Sequence, residues 1–303
     1  MKEKDLKSSA IIKLKKYSFE PYAYLLPALV LILLVYLYPF FEVIRESFFN
    51  MRKWPGEFVG LKNYFVALSD ENFYFSIWHN IQLLLVIPII LIVAIMIAVI
   101  LHEKVFGVKF YRSILFIPYI VPLVAIGIAF SFFFQYSGAF NQILKSLSLD
   151  FFIRDWLGKP RFALPVVASA IIWRELGFAI VLFIARLSYV SEDVVEASLI
   201  DGASWWTRIW RIYVPELRTV IEFYVILSII TMMSQIFGFI FVITSGGPAK
   251  ATWVSEFYIY QRSFLYNDMG SGLVMAVLLI IITVAMVFVY YRFRRKATET
   301  GSD

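Results

Sequence analysis

The chain reads as an all-α polytopic membrane protein with six spanning helices, and three observations lead there. Hydrophobic residues make up 61% of its 303 residues and charged ones only 17%, where a soluble domain carries roughly a quarter charged residues. Six long apolar runs recur along the chain, each near the ~20 residues that an α-helix needs to cross the hydrocarbon core. Lys and Arg are unevenly shared between the alternate loops: 17 on the side holding the N-terminus, 10 on the other, and Arg174 inside a run. Such an excess marks the cytoplasmic side, so both termini are expected there.

In chain order, residues 1–20 hold six lysines and little apolar content, as a cytoplasmic tail would. Tyr22–Phe41 is uncharged over 20 residues and lacks a small-residue cleavage site, so it is expected to be an uncleaved first helix with Pro27 and Pro39 at its ends. Residues 42–77 read as a polar outer loop. The remaining runs are Ile81–Leu101, Ile114–Tyr136, Phe162–Ala185, Phe223–Thr244 and Leu273–Tyr291, the fourth span being interrupted by Arg174 and Glu175. Pro118 and Pro122 would free backbone carbonyls inside the third span, which is tolerable only against protein or a water-filled cavity. A Pro kink in an ordinary membrane helix explains them equally well.

Composition also excludes chemistry. There is no cysteine, hence no disulfide framework and no thiol ligand. His79 and His102 fall near opposite ends of one span and cannot pair on a metal. The net charge of +6 has no basic stripe interleaved with stacking aromatics, so it points to a membrane surface and not to nucleic acid. No phosphate-cradling Gly-x4-Gly-Lys-Ser/Thr loop is present, so ATP chemistry, if used, belongs to another subunit.

The one long polar segment in the second half is Ser191–Leu217. Ser191 suits a helix N-cap, with Glu192 and Asp193 in the first turn where the helix dipole favours negative charge. Gly202 offers positive φ for a helix end or bend. Ser204 is placed to cap a second short helix with Trp205, Trp206, Ile209, Trp210 and Tyr213 on one face, and Pro215 fits the first turn of the next helix. Glu196-Ala197-Ser198, then Gly202, Ile212 and Pro215, resembles the "EAA…G…I-LP" signature of ABC-importer permeases, departing only at Ser198 (usually Ala) and Val214 (usually Leu). The resemblance implies a cytoplasmic coupling helix that docks on an ATPase, carried by Glu196, Ala197, Ser198, Asp201, Gly202, Ile212 and Pro215. The plainer alternative is an interfacial helix with Trp anchors; it leaves the glycine and the acidic start unexplained.

Three further stretches resemble the sugar-importer members of that family: Val59-Gly60-Leu61-Lys62-Asn63-Tyr64, Arg112–Tyr119 at the opening of the third span, and Thr244-Ser245-Gly246-Gly247-Pro248 after the fifth. The last is typical of the maltose-F or glycerol-phosphate-A type of permease. A charge at mid-span costs roughly 2.5–3.5 kcal/mol on insertion scales, so Arg174 and Glu175 should face a neighbour or a cavity. By resemblance, the stretch Arg174, Glu175, Leu176, Gly177 and Phe178 lines the sugar path, with Gly177 admitting the ligand to the backbone. Thr231, Ser234 and Gln235 in the fifth span would line it too. A structural ion pair facing a partner permease remains the alternative for Arg174 and Glu175.

The expected protein is therefore the membrane subunit of an ATP-driven importer for a carbohydrate, with no enzymatic activity, metal or cofactor of its own. The expected domains are a tail at 1–20, a six-helix permease domain at 21–295 with the coupling segment at 191–217, and a tail at 296–303. The resemblance implies a second homologous permease, two ATPase subunits that hold ATP and Mg, an extracytoplasmic substrate-binding protein, and the cytoplasmic (inner) membrane of a bacterium or archaeon. The rivals are an ABC permease for a non-sugar solute, a secondary transporter and a membrane enzyme. The second would need a relay of intramembrane carboxylates, where Glu175 alone is seen; the third would need a nucleophile–base pair or metal cluster.

Overall fold

The computed structural model describes residues 20–51, 56–103 and 107–299. The expected N-terminal tail lies outside them except for Glu20. A helix begins at once: α1 (Glu20–Ile32) passes through a π-helical turn at Leu33–Leu37 into α2 (Tyr38–Glu46). Pro27 sits inside α1 and Pro39 in the first turn of α2, so, contrary to expectation, the prolines do not mark the ends of the first span. A proline nitrogen cannot bond the carbonyl four residues back, and the turn ahead of Pro39 widens instead of breaking. From Tyr24 to Phe41 this helix is exposed along its length.

The 42–77 stretch is more ordered than a polar loop. After α2 come β1 (Phe49–Asn50) and β2 (Glu57–Phe58), paired antiparallel with Phe49 opposite Phe58, then α3 (Lys62–Leu68) and α4 (Glu71–Leu83). The Val59–Tyr64 stretch holds this corner together. Asn63 Nδ2 donates to the carbonyls of Ser47 and Phe49, both at 2.9 Å, and the Tyr64 hydroxyl lies 2.9 Å from Ser47 Oγ.

Then follow α5 (Val86–His102), α6 (Val108–Ile120), α7 (Leu123–Phe134), α8 (Ala139–Ser146), α9 (Pro160–Leu187), α10 (Glu192–Ile200), α11 (Trp205–Arg208), a second π-helical turn at Ile209–Tyr213, and α12 (Val214–Ser234). After them come α13 (Phe237–Ile243), α14 (Ser255–Tyr260) and α15 (Met269–Glu299), the last running on through residues expected in the C-terminal tail. Among the described residues, five continuous helices are long and apolar enough to cross a membrane: Tyr24–Glu46, Glu71–His102, Pro160–Leu187, Trp205–Ser234 and Met269–Arg294.

The third expected span is a bent pair, α6 and α7, turned by 90°. The residue before a proline is pushed out of the helical region; Val121 is accordingly extended at ψ 132°, and Pro122 starts α7. The fifth span also differs from expectation. Its helix starts at Trp205 and stops at Ser234, and the residues expected to finish it form the separate α13, packed on α7.

The core sits where α5 and α9 lie side by side, with α6 and α12 on the flanks of α9. Ala94 and Ala98 on α5 and Ala170 and Ala179 on α9 are fully buried. Small residues let membrane helices approach closely, which matters where no solvent drives the packing. Larger side chains such as Ile90, Ile171, Phe183 and Leu217 fill the remaining space.

Candidate docking and pathway sites

The Ser191–Leu217 segment is built from local signals. Ser191 Oγ accepts the Asp193 N–H at 3.3 Å and starts α10. At the other end Gly202 takes φ +74°, so Ala203 N–H reaches the Ser198 carbonyl at 2.9 Å and Gly202 N–H that of Leu199 at 3.1 Å. This bond pair is the Schellman helix end, and a side chain at that φ is strained. Ser204 Oγ then accepts from Thr207 N–H at 3.2 Å and starts α11.

Although capped at both ends, α10 has no buried residue. Glu196, Ala197, Asp201 and Gly202 are exposed, Ser198 half-buried, and Leu199 and Ile200 expose apolar side chains. The expected single aromatic face after Ser204 is corrected. Trp205, Ile209 and Tyr213 turn inward at a spacing of four, while Trp206 and Trp210 are 55% and 64% exposed. Ile212 packs on the core, and Pro215 lies exposed in the first turn of α12, just after the π-helical turn.

This end is tied to the second span by a group that the sequence reading did not single out. Glu103 Oε1 accepts from Arg208 Nε at 3.1 Å, from Arg208 Nη2 at 3.0 Å and from the Tyr213 hydroxyl at 3.0 Å. Beside it is a cavity of about 310 Å³ whose walls include His102, Glu103, Glu196, Leu199 and Arg208. A signal existed: Glu103 is the C-cap of α5, where the helix dipole disfavours an acid, so a cation had to be found for it.

In the middle of α9, Arg174 Nη1 donates to Glu175 Oε1. The guanidinium also lies 4.7 Å over the Tyr119 ring, a cation–π distance, and Tyr119 stacks on Phe178 at 4.9 Å. Phe178 in turn lies 6.2 Å from the Tyr224 ring on α12. The pair therefore has aromatic neighbours from α6 and α12, and Tyr119, the last residue of the Arg112–Tyr119 stretch, joins them. Gly177 has a packing role that was not expected. A Cβ there would stand 2.3 Å from the Leu115 carbonyl oxygen, so the glycine lets α6 cross α9. Leu176 packs against the core.

Thr231 is half-buried, while Ser234 and Gln235 are exposed and lie at the end of α12. Ser234 Oγ donates to the Ile230 carbonyl at 2.8 Å, so it has a partner within its own helix. The break after Gln235 is held by another group missed from sequence. Glu256 Oε1 accepts the Ile236 N–H at 2.9 Å, and burial pushes its carboxyl up to about 7, the Ile236 bond opposing that rise. Asn80, fully buried on α4, donates to the Met232 carbonyl at 2.7 Å and to Glu256 Oε2 at 3.3 Å, while its Oδ1 accepts from Ser255 N–H and Oγ, both at 2.8 Å. The Thr244–Pro248 turn beside it is closed by Thr252, whose Oγ1 lies 2.7 Å from Thr244 Oγ1 and donates to the Gly247 carbonyl at 3.0 Å.

A mainly helical bundle with five spans and a bent pair, an ion pair in mid-bundle and a largely exposed helix at one end is the build of a polytopic membrane protein. The chain belongs to the family described as "binding-protein-dependent transport system inner membrane component", whose model matches residues 90–299. It is 30% identical over 92% of its length, and 97% of the relative's, to the probable ABC transporter permease protein YurN of Bacillus subtilis. It is 31% identical to the trehalose/maltose transport system permease protein MalF of Thermococcus litoralis, over 90% of this chain and 94% of that one. It is 30% identical to the sulfoquinovosyl glycerol transport system permease protein SmoG of Agrobacterium fabrum, over 89% of each. Among solved structures, a bacterial ABC transporter that imports the acidic polysaccharide alginate has a chain of the same fold, with a TM-score of 0.77 at 20% identity, covering 92% of this chain and 96% of that one. The chain is thus an ABC-transporter permease and no enzyme; ATP hydrolysis belongs to partner ATPases.

Proposed function

We propose that this chain forms half of a carbohydrate-import pathway, and that Ser191–Leu217 is the face on which an ATPase docks. The observation that carries the docking reading is α10 itself, a helix capped at both ends that buries none of its residues and leaves most of them exposed. An ordered helix with exposed Leu199, Ile200 and Glu196 is a surface made for a partner. Relatives named for trehalose/maltose, sulfoquinovosyl glycerol and sn-glycerol-3-phosphate transport support a sugar or sugar-derived solute. In this reading a second homologous permease completes the pathway, and two ATPase subunits hold ATP and Mg. A binding protein delivers the solute from outside, as the solved alginate importer with its alginate-bound periplasmic protein does for its own substrate. Both termini and the 191–217 end face the cytoplasm of a bacterium or archaeon, in line with the Lys/Arg excess.

Gly202→Trp and Glu196→Lys should each abolish uptake while leaving membrane insertion intact, because both change α10 and no span. The check is uptake in proteoliposomes, with the amount of ATPase retained on the purified complex. Normal uptake by both variants would refute the docking assignment. Arg174, Glu175 and Phe178, with Thr231, Ser234 and Gln235, are the proposed pathway residues. Glu175→Ala should lower uptake at least about tenfold while the complex still assembles; loss of assembly with unchanged solute preference would instead make the ion pair structural.

A further inference from the structure

We propose that Glu103 is a positioning residue for coupling: it fastens the docking segment to the second span, so that any displacement of that segment enters the membrane through the second and fifth spans together. The inference rests on the docking reading above, and the geometry adds what that reading lacks, a route from the docked surface into the bundle. α10 buries no residue of its own and leans on the core through the half-buried Val195, a weak lever on the bundle. A charged contact is made one bend later by Arg208. Its Nη1 holds the Ala203 carbonyl at 3.1 Å, next to the Gly202 bend, while Nε and Nη2 hold Glu103 at 3.1 and 3.0 Å. One planar guanidinium thus grips the end of α10 and the end of α5 at once, a use for which its fixed fork is suited and an ammonium is not.

Tyr213 adds a third donor to the same oxygen at 3.0 Å. Its ring is fully buried and meets His102 edge-on at 5.7 Å. The clasp therefore spans the stretch from the Gly202 bend to the end of the π-helical turn that leads into α12. The side chains of Arg208 and Glu103 are 11% and 22% exposed, shielded enough for charge-assisted bonds to hold against water. The partners lie 105 and 110 residues apart in the chain, so the clasp joins elements and does not merely close a local turn.

The absence of cysteine makes the test direct. Spin labels at Val194→Cys on α10 and Ile92→Cys on α5, both on exposed side chains, report one distance in the complex with cysteine-free partners. That distance should be a single narrow distribution that ATP–vanadate trapping leaves unchanged. Glu103→Gln should broaden or shift it, and should cut the stimulation of ATP hydrolysis by the binding protein at least about fivefold. Arg208→Lys, which keeps the charge and loses the fork, should do the same if Glu103→Gln assembles poorly. A distance that moves on trapping in the unaltered clasp, or that stays narrow in both variants with full stimulation, overturns the proposal. Gly202→Trp separates the two ideas. If it releases the ATPase while the clasp variants change nothing, docking stands and the clasp falls; if it changes nothing, docking itself falls.

Discussion

The fifth span is tied to the second at both of its ends, and the two ties are built from different chemistry. At the end assigned to the cytoplasm an ion pair does it, Glu103 with Arg208, where less than a quarter of each side chain still meets water. At the opposite end a neutral amide does it. Asn80 is fully buried, and its carboxamide binds the Met232 carbonyl, Glu256 and Ser255. Desolvating two opposite charges costs several kcal/mol per ion before they attract each other, so a buried tie is better made from groups with no net charge. The less buried end keeps the ion pair, whose charge-assisted bonds hold without full burial. Both ties fasten the two spans, and the charged one sits where motion enters.

Three experiments break or sharpen that contrast, from the largest effect to the smallest. Asn80→Leu should be the most damaging, because Ser255 N–H and the Met232 carbonyl would lose their partner in a buried site. At about 1–3 kcal/mol for each orphaned group, a loss of about 4 kcal/mol is expected, read as thermal unfolding or loss of monodispersity of the purified protein. Arg208→Ala should cost less, about 2 kcal/mol. Breaking a buried pair costs about 3–5 kcal/mol, and here water can still reach the stranded carboxylate. Its thermal midpoint should also lose the salt dependence of the parent. Equal losses in the two variants would erase the distinction between the ties.

Glu256→Gln is the smallest and concerns pH. The folded carboxyl keeps its proton up to about pH 7, against 4.5 for an exposed glutamate. The stability it contributes is therefore complete below pH 4.5 and is lost as pH rises through about 7. In the glutamine variant, which still offers an oxygen to the Ile236 N–H, the decline across that window should flatten. An unchanged profile would mean that another group sets it.

Some of this was legible early. The Ser191 cap, the Gly202 bend and the Ser204 cap appear where expected, because each depends on a residue and its neighbours within four positions. The inward and outward sides of the Trp205–Tyr213 turn were not legible: five large apolar side chains look alike until the core chooses three of them. The packing role of Gly177 was hidden for a similar reason, since a glycine announces close approach but not of what; the Leu115 carbonyl is one such neighbour. Proline signals were ambiguous in kind. Pro39 and Pro215 follow π-helical turns within continuous helices, while Pro122 stands at a 90° bend.

What the sequence determined by itself was the number of apolar runs and the caps and bends of the exposed segment. Partition of a side chain into hydrocarbon, and the φ a glycine permits, do not depend on distant residues. Only the tertiary structure decided where the third and fifth spans break, and that Glu103 meets Arg208 and Asn80 meets Ser255 across 105 and 175 residues of chain. A buried polar group must find a partner, but its own neighbours in sequence do not say which one; that is settled by which helices the packing brings side by side.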